Sequence, residues 1–249
     1  MHRPNLTAIV LCTWIGAALS LTATSAHAGD PLAYLSWGAP WGQPGAREHV
    51  RVSGDSTRVD TLYLSFDPGS DAPKFVGLTA LLYFWPQSGD TLGAFWHFER
   101  TAENPMACRI DFDVAPYEAM SPFTSSGMGM PRYDHSKGSG RLSFIYAVPA
   151  NNGVALKAGT IYCLARVFLS HRRASLSGHA QPLCIQWGEA DFSVDSELST
   201  HARGAGSPYV TWNSPDGKAC GAVTRADSTR VGKSAPGAGK PASGKPKKP

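Results

Sequence analysis

The stretch KFVGLTALLYFWPQSGDTLGAFWHF, residues 74–98, decides the fold of this chain. Its first half, residues 75–85, is too apolar for a surface strand. Val76, Leu78, Ala80, Leu82 and Phe84 fall on one side of an extended chain, and Phe75, Thr79, Leu81, Tyr83 and Trp85 on the other. Both faces ask for cover, which predicts a central strand. A short apolar run does not by its period exclude a buried helix, but Gly77, Pro86 and the aromatic content favour the strand. Ser88-Gly89-Asp90 reads as a tight turn and residues 92–98 as a returning strand.

Strand patterns continue on both sides of this hairpin. Residues 30–37, 49–52, 59–66, 109–114, 141–148, 160–170, 182–194 and 207–212 each combine alternation with turn residues at their ends. No amphipathic helix of ten residues is visible between positions 29 and 224, and no internal repeat. About nine strands predict an all-β fold, a single antiparallel β-sandwich of jelly-roll or immunoglobulin-like type. Residues 119–140, rich in Ser, Pro, Gly and Met, read as a long loop of open role.

The ends differ from the body. Residues 1–28 carry His2 and Arg3, an apolar stretch from Leu6 to Leu21 and the small-residue site Ala26-His27-Ala28, the pattern of a secretory signal peptide. A mature chain from Gly29 is expected to be secreted or periplasmic, with no transmembrane segment. The sandwich is expected over residues 29–224, followed by a basic, disordered tail over 225–249. That tail holds seven Lys/Arg and one Asp, whereas residues 29–224 hold fifteen Lys/Arg and eighteen Asp/Glu, a net of −3. The basic balance belongs to the tail, which could touch anionic envelope polymers. The acidic body argues against a nucleic-acid surface.

Four cysteines follow the leader: Cys108, Cys163, Cys184 and Cys220. An even count in an exported chain implies two disulfides, and no spacing among them matches a zinc site. If residues 160–170 and 182–194 form a hairpin centred near 173–174, Cys163 faces Cys184, and two facing residues at a non-hydrogen-bonded site lie about 4.5 Å apart. This predicts Cys163–Cys184 and leaves Cys108 for Cys220. A Cys184–Cys220 bridge is the rival.

Three stretches give a family resemblance: GLTALLYFWP at 77–86, GRLSFIYAVP at 140–149 and ALKAGTIYCLARVFL at 155–169. Over residues 59–192 the chain resembles the cohesin-like and carbohydrate-binding-module sandwiches of secreted bacterial proteins. The resemblance implies two packed sheets and a binding role, and transfers no individual partner-binding residue. The four cysteines and the Met/Gly-rich insertion depart from the cohesin pattern.

Catalytic chemistry finds little footing. There is no G-x-S-x-G elbow. Asp134 and His135 with Ser136 and Ser139 are sequence neighbours, whereas a triad converges from different directions. Asp111 and Asp113 fit a solvated strand face better than paired acid/base work. Asp191, Asp195 and Glu197 lack an EF-hand pattern, which leaves calcium binding open. His171-Arg172-Arg173 reads as a charged hairpin tip that could grip an anion. Aromatics are the best lead, because sugar rings stack on exposed rings, although most sandwich tryptophans are core. Trp41 and Trp85, flanked by Pro and Gly, are the candidate ligand-binding residues. The expectation is therefore a non-catalytic binding module without a cofactor or metal. Its partner would be an extracellular protein or, in the alternative, a polysaccharide; a secreted hydrolase is the remaining option.

Overall fold

A computed structural model describes residues 29–87, 90–98, 108–123, 127–136, 138–194, 197–203 and 206–221; for 197–203, 206–207 and 221 it describes the backbone alone. The expected leader (1–28), tail (225–249) and turn residues Ser88-Gly89 lie outside these residues. The described chain forms thirteen strands: β1 Leu32–Trp37, β2 His49–Val50, β3 Val59–Asp67, β4 Ala72–Pro86, β5 Cys108–Asp111, β6 Met128–Ser136, β7 Ser139–Ala147, β8 Val154–Leu156, β9 Tyr162–Ser170, β10 Leu183–Val194, β11 Glu197–Arg203, β12 Gly206–Ser207 and β13 Tyr209–Trp212. A single short helix, α1, follows at Lys218–Gly221.

Two sheets face each other. The five-stranded sheet runs β12-β1-β3-β9-β5; the eight-stranded sheet runs β2-β13-β10-β4-β7-β6, with β11 added on β10 and β8 on β4. Pairing is antiparallel except at two edges, where β12 lies parallel to β1 and β2 parallel to β13. The β-sandwich read from the alternation is the observed fold. Its core interleaves Ala33, Leu35, Leu62, Leu64, Val167 and Leu169 of one sheet with Leu78, Leu82, Phe84, Phe144, Ile185 and Trp212 of the other. Each is nearly inaccessible, so apolar burial supplies the main stabilisation, at about 25 cal/mol per Å² removed from water.

The long apolar strand is central, as its two-sided composition requires: β4 pairs with β10 on one side and β7 on the other. Its faces are unequal, however. Leu78, Ala80, Leu82 and Phe84 are fully buried, while Leu81, Tyr83 and Trp85 are only half-buried and Thr79 is exposed.

Three local expectations are corrected. Residues 92–98 do not return as a strand. They form a 3₁₀ turn at Ala94–Trp96 that drives Phe95 and Trp96 into the core. Trp96 Nε1 donates to the Gly178 carbonyl at 2.9 Å, and the backbone of Gly93 meets Gly178 so closely that a Cβ at Gly93 would lie 2.4 Å from the Gly178 Cα. Two glycines permit that approach.

Residues 128–136 of the expected loop are instead the edge strand β6, paired along its whole length with β7. Pro131 lacks a ladder donor, which an edge position tolerates.

The strands β9 and β10 are not a hairpin: β9 lies between β3 and β5 in one sheet, and β10 between β4 and β13 in the other. Residues 171–182 cross between the sheets. The crossing is fixed by a buried polar chain, in which Asp60 Oδ2 stands 2.8 Å from His171 Nε2 and His171 Nδ1 stands 2.9 Å from His179 Nε2. The Ser53 carbonyl, an acceptor only, also stands 3.2 Å from His171 Nδ1, so both ring nitrogens of His171 have polar partners. Trp212 Nε1 donates to the His179 carbonyl at 2.7 Å and closes the anchor. His171 is therefore fully buried and not at a charged tip.

This crossing overturns Cys163–Cys184 and, with it, Cys108–Cys220. The bond present is Cys184–Cys220, with Cα atoms 4.9 Å apart. It ties α1 to β10. Cys108 and Cys163 are free. Cys108 pairs opposite Leu169, six residues along β9 from Cys163, so the two thiols are about 20 Å apart, beyond disulfide reach. Burial pushes both thiols up to about 12 and leaves them unreactive.

Candidate binding face

The two tryptophans picked from sequence lie on opposite outer faces. Trp41 folds over Tyr34 of β1, with ring centroids 5.3 Å apart at 18°, on the outer side of the five-stranded sheet. Trp85 stacks on Tyr83 at 5.5 Å and 26°, on the outer side of the eight-stranded sheet. Both rings are half-buried, whereas Trp37, Trp96, Trp187 and Trp212 are core. The structure does not bring Trp41 and Trp85 together. Trp85 also packs on Cys184, Ala219 and Cys220, and its indole N–H is buried without a hydrogen-bond partner. One ring face is therefore occupied by Tyr83, and the N–H cannot reach a sugar hydroxyl. Side chains at i and i+2 stacked in this way stand up from the sheet and do not lie side by side as a platform.

The outer side of the eight-stranded sheet carries a different feature. Met130 of β6 faces Ile145 of β7, which faces Thr79 of β4. Tyr209 of β13 faces Gln186 of β10, which faces Tyr83. Among the described residues five large hydrophobic side chains are exposed, and four of them belong to this sheet: Met128 (72%), Met130 (61%), Ile145 (42%) and Tyr209 (38%). Half-buried Leu81 lies between them. Arg132, Asp134 and Arg141 rim the patch, with Asp134 bridging both arginines at 3.2 Å. The Arg141 and Arg132 guanidiniums hold the Asp134 carboxyl below its usual range. Met128, Met130 and Ile145 thus form an apolar corner of the face beside a cluster of both charge signs, with Tyr209 three strands away, a mixture found at recognition surfaces.

Sequence reasoning missed Met128, Met130, Ile145 and Tyr209. One signal was available: RLSFIYAV alternates Arg141, Ser143, Ile145 and Ala147 on one face, and Ile145 is a β-branched hydrophobe in a register otherwise polar or small.

The polar candidates disperse. Asp134 is taken by arginines, His135 stacks on His97 at 3.9 Å, and Ser136 bonds across the tight turn to Ser139. Asp111 is held by Arg109 at 2.5 Å and Arg166 at 3.5 Å, which outweigh its partial burial and keep its carboxyl low. Asp113 caps Ala115 N–H. Among the described residues no three His, Cys, Asp or Glu side chains are placed to hold a metal. Asp195 of the calcium candidate lies outside the described residues, as does the Glu197 side chain. No helix among the described residues is long and apolar enough to cross a membrane.

No protein-family model matches this chain. No curated protein matches it either. Among solved structures, the chain is similar to one from a novel type I cohesin–dockerin complex of Clostridium thermocellum, at 9% identity and a TM-score of 0.38, over 74% of this chain and 92% of that one. The structure thus carries a weak cohesin-like resemblance, too distant to assign a family or a partner.

Proposed function

We propose that this chain is a non-catalytic binding module whose outer eight-stranded face docks a protein partner. The observation that carries the proposal is the gathering of Met128, Met130, Ile145 and Tyr209 on one sheet face while the rest of the described surface exposes Val59 alone among large hydrophobes. Flexible methionines suit a face that adapts to a folded partner. The stacked Tyr83–Trp85 pair stiffens the centre. The sugar alternative retains only Trp41, whose second ring face is not covered by Tyr34. The Cys184–Cys220 bond supports an oxidising compartment, in line with an exported, extracellular or periplasmic protein.

The test compares the mature chain with a Met130→Glu/Ile145→Glu variant. Both are presented to proteins and to polysaccharides of the exporting cell's envelope. A discrete protein retained by the parent and released by the variant, at unchanged thermal stability, is the expected result. Retention of polysaccharide that survives the double substitution and disappears with Trp41→Ala would replace this reading with the sugar one.

A further inference from the structure

On the opposite side of the sandwich, a cleft of about 290 Å³ opens on the five-stranded sheet, lined by Thr57, Val59, Arg109, Phe168, Ser170 and Arg172. Its floor is apolar. Among the described residues Val59 is the one large hydrophobe exposed outside the eight-stranded sheet, and Phe168 lies beside it on β9. Its walls are cationic. The Arg109 guanidinium sits 5.4 Å from the Phe168 ring centre and Arg166 5.1 Å from it. Arg172 is exposed at the rim, and among the described residues it has no carboxylate partner.

The charges do not cancel. Arg109 and Arg166 share the single carboxylate of Asp111. Arg172 adds a third guanidinium. Asp60, the residue after Val59, is buried and held by Arg58 and His171, a pair that cancels itself, and Asp55 is occupied by the Thr57 N–H and hydroxyl at 2.8 and 2.7 Å. Three guanidiniums against two carboxylates leave a surplus of about one positive charge, on a body whose overall balance over residues 29–224 is −3. Ser170 Oγ accepts the Arg172 N–H at 3.3 Å, which leaves its own proton to donate into the cleft.

We propose that this cleft binds a singly charged carboxylate carried on a compact apolar body, such as one ring or a branched alkyl chain. The volume stands at the small end of ligand pockets. Val59 and Phe168 cover the apolar body, while Arg172, Arg109 and Ser170 take the carboxylate through charge-assisted hydrogen bonds. A surplus of one charge matches a monoanion better than a phosphate dianion. The site is independent of the protein-docking face, since it lies on the other sheet. A free small acid and the C-terminus of a peptide ending in an aliphatic residue present the same chemistry.

Calorimetric titration of the full chain tests it with 4-methylpentanoate, 4-methylpentanol, and N-acetyl-glycyl-leucine as free acid and as amide. Both acids are expected to bind, with the alcohol and the amide weaker by about tenfold or more, as loss of a charged hydrogen bond predicts. Arg172→Gln, a surface change that leaves folding intact, is expected to weaken acid binding by about tenfold and to lower its salt dependence. Tighter binding of the peptide acid than of 4-methylpentanoate assigns the site to chain ends; equal binding assigns it to small acids. Equal affinity for alcohol and acid, indifference to Arg172→Gln, or absence of binding by either acid overturns the proposal.

Discussion

The two outer faces of this sandwich are built by the same alternation and finish with opposite chemistry. On the eight-stranded side, the outward positions of β6 and β7 hold Met128, Met130 and Ile145 at one end and the ion-paired Arg132, Asp134 and Arg141 at the other. On the five-stranded side, the outward positions of β5 and β9 hold Arg109, Asp111, Arg166 and Phe168, in direct contact with one another. Part of that second face is closed over: Tyr117 and Met120 pack on Tyr63, Val114 and Cys163. The first face is open and joins an apolar corner to an ion-paired one, while the second is partly roofed and mostly charged. Period-2 alternation determines which side chains share a face, and the residue types on that face then determine what it can bind.

The largest effect should come from removing the core that both faces share. Phe144→Ala, on the inner side of β7, is expected to cost about 3–5 kcal/mol in denaturant unfolding, against less than about 0.5 kcal/mol for Ile145→Ala one residue away on the outer side. Equal costs would mean that Ile145 is packed and the open face is not open.

Reduction of Cys184–Cys220, which closes a separation of 36 residues, should cost about 3–4 kcal/mol by loop entropy. Cys108→Ser should leave the response to reductant unchanged. Loss of that response in the Cys108 variant would show a bond other than the one found here.

A smaller effect concerns the crossing between the faces. Burial first, then the neighbouring His171, hold the His179 imidazole below its ordinary value, with Asp60 pulling the other way. In the unfolded chain His179 titrates near 6.5. Below about that pH the unfolded chain binds a proton that the folded chain resists. Stability from this group is therefore complete above about pH 6.5 and is lost as pH falls toward the depressed folded value. His179→Asn should flatten the acid limb of the stability profile. An unchanged slope would remove His179 as its source.

The smallest effect should be chemical. Mild peroxide is expected to oxidise Met128 and Met130 before the half-buried Met120, with little change in melting temperature and a clear loss of partner binding. Unchanged binding after oxidation would detach the methionines from the docking face.

Much of this architecture was legible in the residues. The alternation of 59–66 and 141–148 and the apolar length of 75–85 gave β3, β7 and the central β4. What failed failed for identifiable reasons. MGMPRYDHS has poor strand composition, and it is a strand because β7 offers it a complete ladder. LGAFWHF has strand composition and is a 3₁₀ turn, because Phe95 and Trp96 gain more by packing beside Trp212 than a ladder would provide.

The residues by themselves determined that the chain is all-β, which positions point inward along most strands, and that a basic segment is separate from an acidic body. Only the tertiary structure decided that β9 and β10 belong to different sheets, that Cys184 meets Cys220, and that Met130, Ile145 and Tyr209 share one exposed face. The division has a physical cause. Alternation is a property of neighbouring residues, whereas sheet membership is settled by contacts between positions far apart in the chain, here by Asp60 holding His171 across 111 residues.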